Sequence, residues 1–150
     1  MTPEGLFSLA STAVLPGWLL LVVAPRWKWS ARFVASALIP ALLGALYAVL
    51  IGMKWGAAEG GFGSLSEVRR LFENPYLLLA GWIHYLAFDL FIGSWEVRDA
   101  QRLGIPHLAV IPCLVLTFMF GPAGLLLYLA IRASRRRILV DESGDAVAAR

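Results

Sequence analysis

Residues 84–100 read HYLAFDLFIGSWEVRDA, and the reading of this run decides the fold. Its first dozen residues have the character of a membrane-buried helix, yet His84 and Asp89 stand among the aromatics. An ionisable side chain inside a bilayer is costly unless it faces protein or a wet cavity. At about 100° per residue the two side chains point roughly 140° apart, so they do not meet as i,i+4 neighbours do. Tyr85, Asp89, Ile92 or Gly93, and Glu96 share one face, which makes a polar ladder climbing to the membrane surface. His84, Phe88, Phe91 and Trp95 share a second, aromatic face. A polar path beside an aromatic wall suits an amphipathic or polyene-like molecule entering from lipid.

The rest of the chain sets the class. Of its 150 residues 59% are hydrophobic and 15% charged, where a soluble domain carries about a quarter charged. The apolar residues gather into blocks of about 20, the length that crosses a hydrocarbon core of roughly 30 Å. Four such blocks predict an all-α, polytopic integral membrane protein with one domain over 1–135 and spans at about 6–24, 33–53, 76–95 and 108–131. The first block, following MTPEG, lacks the basic start of a signal peptide. Pro40 and Gly44 fall inside the second, as lipid-buried helices tolerate. In the fourth, FGPAG predicts a kink or a local break at Pro122.

The connections are short except for 54–74. Its first part, KWGAAEGGFGS, is glycine-rich. The second, SLSEVRRLFENP, predicts a short interfacial helix with Ser64 or Ser66 as N-cap and with Leu65, Val68, Leu71 and Phe72 towards lipid. EVRDAQRLGIPH reads as a charged connection with a Gly-x-Pro turn. Residues 136–150 read as a polar, disordered tail. Four spans put both termini on one side, and the basic residues then divide too evenly for the positive-inside rule. Arg26, Lys28, Arg32, Arg98 and Arg102 oppose Lys54, Arg69, Arg70 and the cluster Arg132, Arg135, Arg136 and Arg137. The density of that cluster favours a cytoplasmic tail. The net charge of +3, placed beside apolar blocks, suits lipid headgroups and not nucleic acid. The single Cys113 reads as a small buried hydrophobe.

The candidate site follows from the ladder. Asp89 would be a proton donor, His84 a relay or ligand, and Tyr85 and Glu96 assisting groups. The alternative is that Asp89 is a structural group bonded to a neighbouring helix and His84 a satisfied core histidine. Glu96 and Asp99, with His107 or His84, could share a metal, but that spacing is common and a solvated, mutually paired charge cluster at the interface is the better reading. No phosphate loop, nucleophile elbow or CxxC pair is present, and no cofactor is expected.

The run from His84 to the fourth block resembles the membrane family named for the plant abscisic-acid-deficient-four protein. The family's marks fall on His84, Tyr85, Asp89, Leu90, Phe91 and Gly93, then Arg98 and Asp99, then Phe120, Gly121, Pro122, Gly124 and Leu125. In plants the family is implicated in making neoxanthin from violaxanthin, a redox-neutral rearrangement. The resemblance implies an isomerase-like role, or support for one, on a carotenoid or other isoprenoid. MTPEGLFSLA leads straight into a span without a plastid transit peptide, so a bacterial-type member in an inner membrane is expected and the plant substrate is not carried over. Two rivals stand beside this reading: a non-catalytic lipid-binding or scaffold protein, and a metal-dependent lipid hydrolase using His84, Asp89, Glu96 and His107. The expected partners are membrane lipid and an isoprenoid.

Overall fold

The helix that carries the opening run, α4 (Pro75–Arg102), is the axis of the molecule. A computed structural model describes residues 2–27, 29–57 and 59–148, with the side chains of all but 30–32, 57 and 136–148. Lys28, counted above with the basic residues, lies outside the described residues, as do the last two residues of the expected tail. The side chains of Arg32, Arg136 and Arg137 are likewise outside. Around α4 stand α1 (Pro3–Val23), α2 (Ile39–Lys54) with a π-helical lead-in over Ser30–Leu38, a short α3 (Leu65–Glu73), α5 (His107–Phe120) and α6 (Pro122–Ala148). Among the described residues there is no strand.

Local chemistry places the boundaries. α1 begins where the Thr2 hydroxyl accepts from Gly5 N–H at 3.2 Å, with Pro3 in the first turn, where its missing N–H costs nothing. α3 begins at Ser64, whose hydroxyl accepts from Glu67 N–H at 3.2 Å. The Glu67 carboxylate reaches back to Gly63 N–H at 3.0 Å, a capping box displaced by one residue. Leu71 of α3 is buried while Leu65 stands open, so the helix presses one residue into the bundle and only part of its apolar face outward. α4 is capped by the Asn74 side chain on Tyr76 N–H at 3.0 Å.

α4 runs two turns beyond the span expected for it, through the charged residues 96–102. Those charges do not end the helix because Glu96 and Asp99 are buried against partners. The helix ends instead at Gly104 (φ +65°). Ile105 N–H reaches Ala100 C=O at 2.9 Å and Gly104 N–H reaches Gln101 C=O at 3.4 Å, the two bonds of a Schellman cap. Gly104→Ala should cost about 1 kcal/mol for forcing an L side chain into left-handed backbone. A drop of a few degrees in melting temperature in detergent checks it.

Packing along α1 follows one stripe, Ala10, Val14, Gly17, Trp18 and Leu21. Gly17 and Gly93 are needed because an added Cβ would meet Leu90 at 2.8 Å in the first case and the Trp18 ring at 2.7 Å in the second. The indole of Trp18 thus lies directly on the α4 backbone. Leu21, Leu77, Ile83, Leu90 and Leu114 are sealed between helices, whereas Leu19, Leu42, Met53, Leu108 and Leu126 stand exposed. An apolar exterior around a packed interior is what a lipid solvent permits.

The fourth apolar block departs from a single span. α5 runs back along α4, and at Gly121 (φ +45°) the chain reverses into α6. A Cβ on Gly124 would collide with the Thr117 side chain and backbone and with the Cys113 carbonyl oxygen. In a continuous helix residues 113 and 124 would be about 16 Å apart. α5 and α6 are therefore the two arms of a hairpin, and the expected break at FGPAG is its tip. α5 has 14 residues, about 21 Å of helix, less than the roughly 30 Å of a bilayer core. Among the described residues three helices are long and apolar enough to cross a membrane, Pro3–Val23, Phe33–Lys54 and Pro75–Arg102.

Candidate functional site

The polar ladder of α4 faces the hairpin, and three levels of contact result. At the level of the tip, the Tyr85 hydroxyl donates to Phe118 C=O at 3.3 Å and lies close to the Asp89 carboxyl group. Gly121 leaves room for that carboxyl: a Cβ there would come within 2.9 Å of Asp89 Oδ1. Asp89 Oδ2 is buried and has no hydrogen-bond partner among the described residues. One level on, Thr117 donates to Glu96 Oε1 at 3.0 Å, while Glu96, wholly buried, leaves Oε2 without a partner among the described residues. At the last level Asp99 accepts from Arg102 at 2.7 Å, Tyr128 at 2.8 Å and Arg132 at 2.6 Å.

The electrostatics come from the broken helix. α5 ends and α6 begins at Gly121, so the Asp89 carboxyl lies beside the first turn of α6, whose N–H groups carry the positive end of the helix dipole. Non-helical backbone at membrane depth is tolerated only where protein or a cavity satisfies it. Here Tyr85 covers the Phe118 carbonyl, and Gly121 N–H closes on Thr117 C=O at 2.9 Å.

Beside this site lies an apolar groove of about 830 Å³ between α1 and α5, lined by Thr12, Leu15, Trp18, Leu19, Val115 and Phe118 among others. Phe118 joins the two. Its carbonyl accepts from Tyr85, and its ring meets Trp18 edge-on at 5.4 Å.

The other candidates fall elsewhere. His84 is exposed on the outer surface of α4, stacked on Phe88 at 4.5 Å and 5.9 Å from the Tyr47 ring. The structure does not bring it to Asp89. His107 holds the start of α5 to α1 through Nε2, 3.0 Å from Val22 C=O. Arg98 donates to Ser94 C=O at 3.3 Å. The oxygens of Asp99 are taken by Arg102, Tyr128 and Arg132, and among the described residues no three His, Cys, Asp or Glu side chains come together to hold a metal ion. The Phe120 ring is exposed at the tip.

Sequence reasoning missed Thr117 and Tyr128. Tyr128 had a signal: Gly124, Tyr128 and Arg132 recur at i,i+4,i+8 and so share one helix face. Thr117, a hydroxyl residue inside an apolar run, had a weaker one.

No solved structure matches the chain. A plant relative, "Protein ABA DEFICIENT 4, chloroplastic" of Arabidopsis thaliana, is 28% identical over 140 residues, covering 87% of this chain and 61% of its own length. The chain thus spans about three fifths of the relative it matches. The ABA DEFICIENT 4-like family matches residues 5–128, which takes in all three levels of the ladder up to Tyr128. With most of its length inside that match, the chain belongs to the ABA DEFICIENT 4-like family.

Proposed function

We propose that the protein acts on a carotenoid or other isoprenoid lipid by acid–base chemistry inside the membrane, without redox change. The observation that carries this is the Asp89 carboxyl group, one oxygen buried and unpartnered among the described residues, on a ladder that Phe118 joins to an apolar groove of about 830 Å³ between α1 and α5. Apolar grooves of this size are the common form of a site for a lipid-soluble molecule. Membership of the ABA DEFICIENT 4-like family, whose resemblance implies a carotenoid or other isoprenoid, supports the substrate class.

The chemistry needs one group that gives a proton and one that takes a proton. For an epoxide, Asp89 would donate to the ring oxygen as the C–O bond breaks. A carbon-bound proton then leaves to the carboxylate, and the electron pair of the C–H bond forms the new double bond. The product is an isomer of the substrate, and Asp89 ends protonated as it began. Tyr85 would hold the carboxyl in place while Phe118 lines the path from lipid. Glu96, one level further along the ladder, is the second acid of the site. His84, on the outer surface, has no part in these steps.

The first test is chemical. Expression in a bacterial host that makes epoxy-carotenoids should convert part of the pigment to an isomer of unchanged mass, seen by chromatography and mass spectrometry. Unchanged pigment that copurifies with the protein would favour the second reading, a lipid-binding protein, for which the groove alone suffices.

A further inference from the structure

The hairpin changes where the charged ends of the chain lie. The two ends of the bundle are identified by contacts between helices. At one end, Gln101 Nε2 donates to Pro25 C=O at 2.5 Å and His107 lies on Val22, which brings together the end of α1, the end of α4 and the start of α5. At the opposite end, Trp82 Nε1 donates to Ser11 at 3.0 Å and the Lys54 ammonium lies 4.6 Å from the Tyr76 ring centroid. That end holds the starts of α1 and α4, the end of α2, and α3. A fourth crossing would carry residue 132 to the Lys54 end. Arg132 instead bonds Asp99 at 2.6 Å, near the end of α4.

We propose that α5–α6 is a re-entrant hairpin that enters and leaves through one leaflet, and that the end it shares is the face held against anionic lipid headgroups on the cytoplasmic side. Arg26, Arg32, Arg98, Arg102, Arg132 and Arg135 then belong to one end of the chain's path, and Arg136 and Arg137 follow directly in sequence. The other end has Lys54, Arg69 and Arg70, and acidic residues, present at both ends, contribute little to orientation. The even division that left orientation open under four spans becomes a strong asymmetry. Basic residues near span ends are retained on the cytoplasmic side and attract the anionic leaflet. Residues 2–4 and 134–135 consequently lie on opposite sides of the membrane.

The test is cysteine accessibility in the full chain expressed in a bacterial inner membrane. Cys113 is buried and is replaced in a Cys113→Ser background. Single substitutions Glu59→Cys, Arg26→Cys and Ser134→Cys are then treated with a membrane-impermeant maleimide. Glu59→Cys should label in right-side-out vesicles. Arg26→Cys and Ser134→Cys should label several-fold more in inside-out vesicles, with equal labelling of all three after detergent. Labelling of Ser134→Cys together with Glu59→Cys would overturn the hairpin. Labelling of Ser134→Cys with Arg26→Cys but from right-side-out vesicles would overturn the leaflet assignment. As a check independent of the substitutions, a phosphatase fused after residue 150 of the unaltered chain should be inactive and a fluorescent protein there bright; the reverse pattern also overturns the proposal.

Discussion

Asp99→Ala should destabilise the protein by about 3–5 kcal/mol, the usual penalty for removing one member of a buried ion pair. Asp99 is nearly sealed, and its side chain accepts three hydrogen bonds, two of them from α6. Removing the carboxylate strands the Arg132 guanidinium and the Tyr128 hydroxyl, and Arg132 has only 21% of its side chain exposed. The stranded cation, more than the lost attraction, makes the change severe. Arg102 is the contrast. Its side chain is 67% exposed, so Arg102→Ala should cost no more than about 1 kcal/mol, as surface ion pairs do. Because Tyr128 and Arg132 tie α6 to the end of α4, the loss should first free the hairpin. Limited proteolysis within α6 should appear in Asp99→Ala before the melt of the α1–α4 bundle. The double variant Asp99→Ala/Arg132→Met should regain part of the stability, since no charge is then left unpaired. Equal melting temperatures for Asp99→Ala and Arg102→Ala would sink this account.

How much of this could be read in the residues varied by the range of the interaction. The apolar blocks set the helical class because lipid leaves a chain few ways to satisfy its backbone. The ladder Tyr85, Asp89 and Glu96 followed from helical geometry alone, and all three do face the hairpin. The same arithmetic separated His84 from Asp89, and the structure puts His84 outside. The end of α4 was misplaced because a charged residue in sequence looks like a helix leaving the membrane. Glu96 and Asp99 are instead buried on partners that lie 21 and 29 residues further on, Thr117 and Tyr128. Such partners are invisible to any local window.

The hairpin shows the same limit at larger scale. Gly121, Pro122 and Gly124 announce that the helix stops being regular, but a kinked span and a reversal use the same residues. What selects reversal is the approach of Gly124 to Thr117 and Cys113, and the capture of Arg132 by Asp99. Both are tertiary. Orientation depends on the same contacts, because counting basic residues requires knowing on which side each connection emerges.

Asp89→Asn should reduce isomer formation by at least about 100-fold, in the range attributed to a lost general acid or base, while leaving the fold in place. Asparagine keeps the shape of the side chain beside Gly121, and the Tyr85 hydroxyl retains Phe118 C=O as its partner. The amide can neither give nor take the proton, so chemistry stops. The melting temperature should fall little, since among the described residues Asp89 forms no ion pair and one of its oxygens has no partner. The contrast with Asp99 is therefore double: Asp99→Ala loses stability, and Asp89→Asn loses turnover. Pigment copurifying with Asp89→Asn should stay at the wild-type level, because the groove beside Trp18 and Phe118 is unchanged. Gly121→Ala supplies an independent approach to the same carboxyl group. Its methyl would press on Asp89 Oδ1 at 2.9 Å, and its φ of +45° disfavours any side chain, so both stability and turnover should fall. If Asp89→Asn retains full turnover, the carboxyl group is a structural partner for the start of α6 and the acid of the reaction lies elsewhere, with Glu96 the next group to replace. If Asp89→Asn is inactive but also melts with Asp99→Ala, the structural role is again the better account. Only folded, pigment-bound and inactive protein fits a proton carried by Asp89.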